Sequence, residues 1–121
     1  MVLRGEAAAM QPWLEAFLLT QCIEVPLYCA LLRSVSIPKR IALGFSATAV
    51  THPVVWFVIH SIAKDFGLPH AAYMFVAECY AVGVEGLLLW AFGQRRPWAV
   101  ALLVNMVSFG AGLTLQWAGL I

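Results

Sequence analysis

The sequence predicts an all-α polytopic membrane protein, a bundle of four transmembrane helices that occupies residues 1–121 as a single membrane domain. Apolar residues make up 63% of the 121 residues and charged residues only 11%, against about 25% charged in soluble domains. The mean hydropathy is +0.88. Four apolar stretches each approach or exceed the roughly 20 residues that cross a bilayer. A net charge of +1 without runs of like charge excludes a basic nucleic-acid binder.

Charged residues, Pro and Gly delimit the four predicted spans. The first span ends at Arg33, and the second follows Pro38. A turn containing Gly67 and Pro69 precedes the third, and the fourth begins at Pro97, since proline is favoured in the first turn of a helix. The predicted spans are residues 13–32, 41–63, 70–92 and 97–119.

Basic residues lie on one side of the predicted bundle. The loops between spans one and two and between spans three and four hold five of the seven basic residues. Because short cytoplasmic loops collect Lys and Arg, we expect both termini outside, in the inner membrane of a bacterium. Residues 1–10 lack the apolar core of a signal peptide, so we expect the first span to be retained. The five loop residues are Arg33, Lys39, Arg40, Arg95 and Arg96.

Ionisable side chains lie within the predicted spans. Glu24 lies near the middle of the first span and His52 at the middle of the second. Glu78 and Glu85 lie about one turn either side of the middle of the third. Inserting a charge at the bilayer centre costs about 2.5–3.5 kcal/mol, and no Lys or Arg lies at this depth. We therefore expect these carboxyls to carry protons or to be joined by a cation.

Helical spacing places the polar residues of each span on one face, which predicts that the four faces meet inside the bundle. We expect a site for an ion or substrate formed by Glu24, His52, Glu78 and Glu85, with Asn105 as a hydrogen-bond partner. Small polar residues commonly join helices, which favours packing roles for Gln21, Thr48, Asn105, Ser108 and Gly112. A purely structural role for protonated Glu, hydrogen-bonded to Asn105, Gln21 or backbone, is the alternative. The polar faces contain Gln21, Glu24 and Tyr28, then Thr48 and His52, then Glu78 and Glu85, and finally Asn105 and Ser108.

This site predicts the binding or transport of a proton, a metal ion or a small cation. Pro26 and Pro53 remove helix hydrogen bonds near the middle of the membrane, as in transporter helices, although such prolines usually only kink a span. Carboxylates with one histidine favour Mn, Fe or Zn over Cu(I). No Glu-x-x-His pair completes a di-iron pattern, so the metal and any cofactor remain unknown.

Two other functions agree with the same residues. One is a non-catalytic accessory or structural subunit whose polar faces dock on partner helices. The other is an intramembrane enzyme, although the sequence has neither a Gly-x-Ser-x-Gly nor a His-Glu-x-x-His motif. As partners we expect the lipid bilayer, a second copy of the chain or a larger membrane complex, a small cation under the transport interpretation, and no nucleic acid.

In size, in its four spans and in the membrane-embedded Glu24, the chain resembles the small multidrug-resistance transporters. That resemblance implies an antiparallel dimer that exchanges protons for cationic compounds. The chain departs from that family in His52, Glu78 and Glu85, and in lacking a family signature around Glu24.

A second resemblance, over nearly the whole chain, is to uncharacterised small bacterial integral-membrane families, and it implies no function. The residues that carry it are Glu24-x-Pro26, Thr51-His52-Pro53, Glu78 with Glu85, and Asn105-x-x-Ser108-Phe109-x-x-Gly112.

Overall fold

The computed structural model describes residues 2–121, with side chains from residue 12 onward. The expectation about residues 1–10 lies outside the described side chains. Within the described chain there are helices but no strands, so the predicted all-α class is confirmed. The elements are α1 (Val2–Leu31), α2 (Ile37–Pro53), a π-helical segment (Val54–Ile59), α3 (His60–Asp65), α4 (His70–Ala91) and α5 (Pro97–Trp117).

Four helical stretches are long and apolar enough to cross a membrane, and they make the chain a multi-pass membrane protein. The second stretch joins α2, the π-helical segment and α3 into 29 continuous residues. It begins four residues before the predicted start because Pro38 occupies the first turn of α2, where its missing N–H costs nothing. The stretches are Pro12–Leu31, Ile37–Asp65, His70–Ala91 and Pro97–Trp117.

The four stretches form a ring of antiparallel neighbours. The closest packing is within two helical hairpins, α1 with α2 and α4 with α5. The pairs α2 with α4 and α1 with α5 then close the ring. Side chains of α1 and α4 therefore meet diagonally across the interior.

The loops at residues 32–36 and 92–96 lie together at one end of the bundle. We call it the basic end, because Arg33, Arg95 and Arg96 lie in these loops and Lys39 and Arg40 in the first turn of α2. The Ser34 hydroxyl donates to Gln94 Oε1 over 2.8 Å and connects the two loops. The Arg40 guanidinium donates to the carbonyl oxygens of Cys29, Val35 and Arg33. The bond to Cys29 satisfies a carbonyl that the end of α1 leaves free, and the other two hold the loop that follows it.

Glycines with positive φ end the helices where the chain reverses. Gly93 (φ 74°) follows α4, and Gly67 (φ 66°) follows α3 at the opposite end of the bundle. After α4, the N–H of Gln94 bonds back to the Leu89 carbonyl over 3.0 Å, as in a Schellman motif. A side chain at either glycine would be strained, because left-handed backbone favours glycine.

Pro53 changes the helix type without ending the span. The α-helix becomes π-helical directly after it, over Val54–Ile59. The Tyr73 hydroxyl donates to the Val55 carbonyl inside this segment over 3.4 Å. Pro26, in contrast, lies inside the continuous α1 helix.

The apolar core lies near the basic end. Residues 12–20 of α1 and residues 106–117 of α5, which lie towards the opposite end, contain no buried side chain. Most buried side chains therefore lie in the basic half, whereas α1 and α5 bury none in the opposite half, where Ala63 and Ala77 are buried. The core residues are Tyr28, Leu32, Leu43, Ala47, Leu89, Ala101 and Val104.

Candidate functional site

Two carboxyl side chains are buried in the basic half of the bundle. Glu24 on α1 is 3% exposed and Glu85 on α4 is 1% exposed. Glu85 precedes the end of α4 by six residues and Glu24 precedes the end of α1 by seven. At 1.5 Å per residue, both lie about 10 Å from the basic end. We call these two side chains the carboxyl pair, because they lie close enough to interact electrostatically.

Glu85 has hydrogen-bond partners on two other helices. The Tyr28 hydroxyl of α1 donates to Glu85 Oε1 over 2.7 Å. The Thr51 hydroxyl of α2 lies 3.3 Å from Glu85 Oε2. Asn105 of α5 faces the same carboxyl, while its Nδ2 donates to the Ala101 carbonyl over 2.8 Å. All four membrane-crossing stretches therefore meet at this side chain.

Glu24 is held in a similar way. The Thr48 hydroxyl lies 2.5 Å from Glu24 Oε2, and Ser108 of α5 faces the same carboxyl. Thr48 is 1% exposed. Its position next to α1 depends on Gly44, where a Cβ would lie 2.9 Å from Tyr28 Cβ, closer than real side chains approach. The absence of a side chain at Gly44 thus allows α1 and α2 to meet beside the pair.

The two threonines also lie near carbonyls of their own helix. Thr48 Oγ1 lies 3.4 Å from the Gly44 carbonyl oxygen, and Thr51 Oγ1 lies 3.1 Å from that of Ala47. Each hydroxyl has one proton to donate and also accepts. A threonine that donates to its own helix can therefore accept a hydrogen bond from a protonated carboxyl.

Among the residues whose side chains are described, no Lys or Arg lies at the depth of the carboxyl pair. The chain has no Lys or Arg between residues 41 and 63, or between residues 65 and 94. The arginine nearest to the pair along α4 is Arg95, beyond the end of that helix. Two buried carboxylates without a cation would be prohibitively unfavourable.

Glu78 differs from the pair in its surroundings. It lies two turns from Glu85 on the same face of α4, towards the opposite end, and within electrostatic range of Glu85. Its Oε2 is buried and has no hydrogen-bond partner among the described residues. The same holds for Gln21 Oε1, although Gln21 Nε2 donates to the Phe45 carbonyl over 3.2 Å.

His52 lies among aromatic rings. Its ring centroid lies 5.6 Å from that of Phe17, 6.4 Å from that of Trp13 and 6.3 Å from that of Trp56. Its Nδ1 is buried without a hydrogen-bond partner in the described part of the chain. Of the five predicted site residues, the structure brings Glu24, Glu85 and Asn105 together, with Glu78 nearby and His52 in separate aromatic surroundings.

The described residues contain no group of three or more His, Cys, Asp or Glu side chains placed to hold a metal ion. The predicted carboxylate and histidine ligands thus do not converge as a metal centre requires. A metal centre needs at least three donor side chains within coordination distance of one point. His52, one of the predicted ligands, packs against aromatic rings instead.

Sequence reasoning did not identify the hydroxyl partners of the carboxyl pair. Tyr28 was predicted only as a member of the polar face of the first span, and Thr48 only as a packing residue. Thr51 was noted only beside His52 and Pro53. The available signal was the spacing of Thr48 and Thr51, one helical turn apart, which places both hydroxyls towards the same neighbouring helices.

Comparison with known proteins does not assign this chain to a family. The four apolar helices fit a small membrane protein without confirming either of the families that the sequence resembles. No protein-family model, no curated protein and no solved structure matches the chain.

Proposed function

We propose that this membrane protein binds protons at the carboxyl pair, Glu24 and Glu85, and couples their binding and release to the movement of a small cation. The observation that carries the proposal is the burial of two neighbouring carboxyls from different helices at a depth without Lys or Arg. A buried carboxyl of this kind is a functional site by default in a membrane protein.

Burial without a cation disfavours the ionised carboxyls, and the hydroxyls around the pair can accommodate a protonated form. A neutral Glu85 accepts from the Tyr28 hydroxyl at Oε1 and donates from Oε2 to Thr51, which donates to the Ala47 carbonyl. Every polar group in this chain of bonds then has a partner. A neutral Glu24 donates from Oε2 to the Thr48 hydroxyl, whose own proton then points to the Gly44 carbonyl 3.4 Å away.

Glu78 provides a relay towards the opposite half. It shares the face of α4 with Glu85, and one of its oxygens is buried without a partner in the described chain. Glu78 lies eight residues from the start of α4 and thirteen from its end, so it is closer to the opposite end of the bundle than to the basic end. We therefore propose that protons reach the carboxyl pair by way of Glu78.

A proton is favoured over a metal ion because the donors do not converge. Two carboxyls and hydroxyls on separate helices suffice to hold protons, whereas a transition metal needs several donors around one point. We also propose that the basic end faces the cytoplasm, with both termini outside. Because four helices enclose little space, we propose a homo-oligomer as the working unit.

Infrared difference spectroscopy of the reconstituted protein tests the proposal. During an acid-to-alkaline titration, the wild type should lose the carbonyl bands of buried protonated carboxyls. Glu24→Gln and Glu85→Gln should each remove one band, and Glu15→Gln, which changes an exposed carboxyl, should remove neither. Unchanged bands in both pair variants would contradict proton binding.

Uptake into vesicles tests the coupling. An imposed pH gradient should drive accumulation of radioactive rubidium or tetraethylammonium ion by the wild type, and Glu85→Gln should abolish it. Glu15→Gln should transport like the wild type. Equal uptake by the wild type and by empty vesicles for both probes would contradict cation coupling.

A further inference from the structure

A small cleft lies between the two loops at the basic end. Its volume is about 250 Å³, and residues of both loops line it. The Ser34–Gln94 hydrogen bond crosses between these loops, and Gln94 is only 7% exposed. The loops are therefore joined into one surface. The lining residues are Leu31, Leu32, Arg33, Ser34, Gln94 and Arg95.

The arginines of the basic end differ in their hydrogen bonds. Arg40 donates to three carbonyls around the end of α1 and is fully engaged in closing that turn. Arg33 donates only through Nε, to the Ala30 carbonyl over 3.2 Å, so its terminal nitrogens point to no partner among the described residues. Arg95 makes no side-chain hydrogen bond within the described chain. The two arginines of the cleft thus keep donors for a ligand.

The chemistry of the cleft suits an anion. The chain has no acidic residue between residues 25 and 64 or after Glu85, so no carboxylate of these segments neutralises Arg33 or Arg95. Guanidinium groups present paired donors that match the oxygens of a phosphate. Leu31 and Leu32 at the same cleft provide apolar contact.

We propose that this cleft binds the phosphate of an anionic phospholipid, with Arg33 and Arg95 as its ligands. A volume of about 250 Å³ lies below the roughly 300–1,000 Å³ of sites for drug-sized molecules and is suited to a headgroup. A lipid headgroup is favoured over free phosphate because the cleft lies where a membrane-spanning bundle meets the headgroup layer.

Native mass spectrometry of the full-length protein tests this proposal. The wild type, with phosphatidylglycerol or phosphatidylcholine added in detergent, should retain phosphatidylglycerol selectively. Arg33→Gln and Arg95→Gln should each weaken that retention about fivefold, the affinity that one surface arginine supplies. Lys39→Gln removes the same charge from an exposed residue outside the cleft and should leave retention within about twofold of the wild type.

Two outcomes would overturn the proposal. An equal loss of retention in Lys39→Gln and Arg95→Gln would show attraction by general surface charge without a defined cleft. Displacement of phosphatidylglycerol by inorganic phosphate at similar concentration would show that the cleft takes the free ion. Selective retention that depends on Arg33 and Arg95 and resists inorganic phosphate would support the lipid site.

Discussion

The basic half and the opposite half of the bundle bury their polar groups differently. In the basic half, the carboxyl pair contacts Tyr28, Thr48 and Thr51. In the opposite half and at its boundary, Glu78, Gln21 and His52 each bury a polar atom that has no hydrogen-bond partner among the described residues.

The two halves also differ in how many apolar side chains they bury, and again the basic half buries more. The apolar core surrounds the basic half, whereas residues 106–117 of α5 contain no buried side chain. A buried polar group without a partner costs about 1–3 kcal/mol, so these atoms do not stabilise the opposite half. The comparison indicates that the basic half stabilises the bundle.

The largest expected effect is at Gly44 of α2, which packs against Tyr28 of α1 in the basic half. Gly44→Val should lower the free energy of unfolding by about 2–3 kcal/mol, because its side chain would overlap Tyr28. Unfolding in detergent, followed by circular dichroism, measures the change. Gly83→Val is the matched control, since a Cβ at Gly83 meets no atom within 4 Å, and it should cost less than about 0.5 kcal/mol. Equal losses in the two variants would contradict the packing difference.

A smaller effect is expected at Tyr28. Tyr28→Phe removes the hydroxyl that donates to Glu85 Oε1 over 2.7 Å and leaves that oxygen buried without this donor. The free energy of unfolding should fall by about 1–2 kcal/mol. Tyr80→Phe, on a partly exposed tyrosine of the same span as Glu85, provides the control. A Tyr28→Phe protein as stable as the wild type would show that the Glu85 hydrogen bond does not stabilise the basic half.

The smallest effect is expected at His52, among the aromatic rings of the opposite half. His52→Phe keeps a ring in contact with Phe17 and Trp56 and removes a buried nitrogen that has no partner in the described chain. The free energy of unfolding should change by less than about 0.5 kcal/mol or rise slightly. The same unfolding measurement checks it. A loss above 1 kcal/mol would place His52 with the stabilising groups, against the comparison.

The four spans were predictable because a bilayer imposes length and hydropathy on each helix separately. The predicted fourth span, residues 97–119, differs from α5 only at its end, where Gly119 has a positive φ. The burial of Glu24 and Glu85 also followed from helical spacing. The separation of His52 from the carboxyl pair could not be predicted. Thr48 and His52 lie one turn apart on α2, and this spacing does not determine which neighbouring helix each side chain contacts.

The sequence by itself determined that this chain crosses a membrane four times and carries carboxyls at a depth without Lys or Arg. Both properties depend on composition and on distance along single helices. Only the tertiary structure decided that Tyr28 reaches Glu85 across the bundle, and that Arg40 closes a turn while Arg33 and Arg95 line a cleft. These contacts depend on the rotation and spacing of helices relative to one another, which side-chain packing at positions such as Gly44 sets.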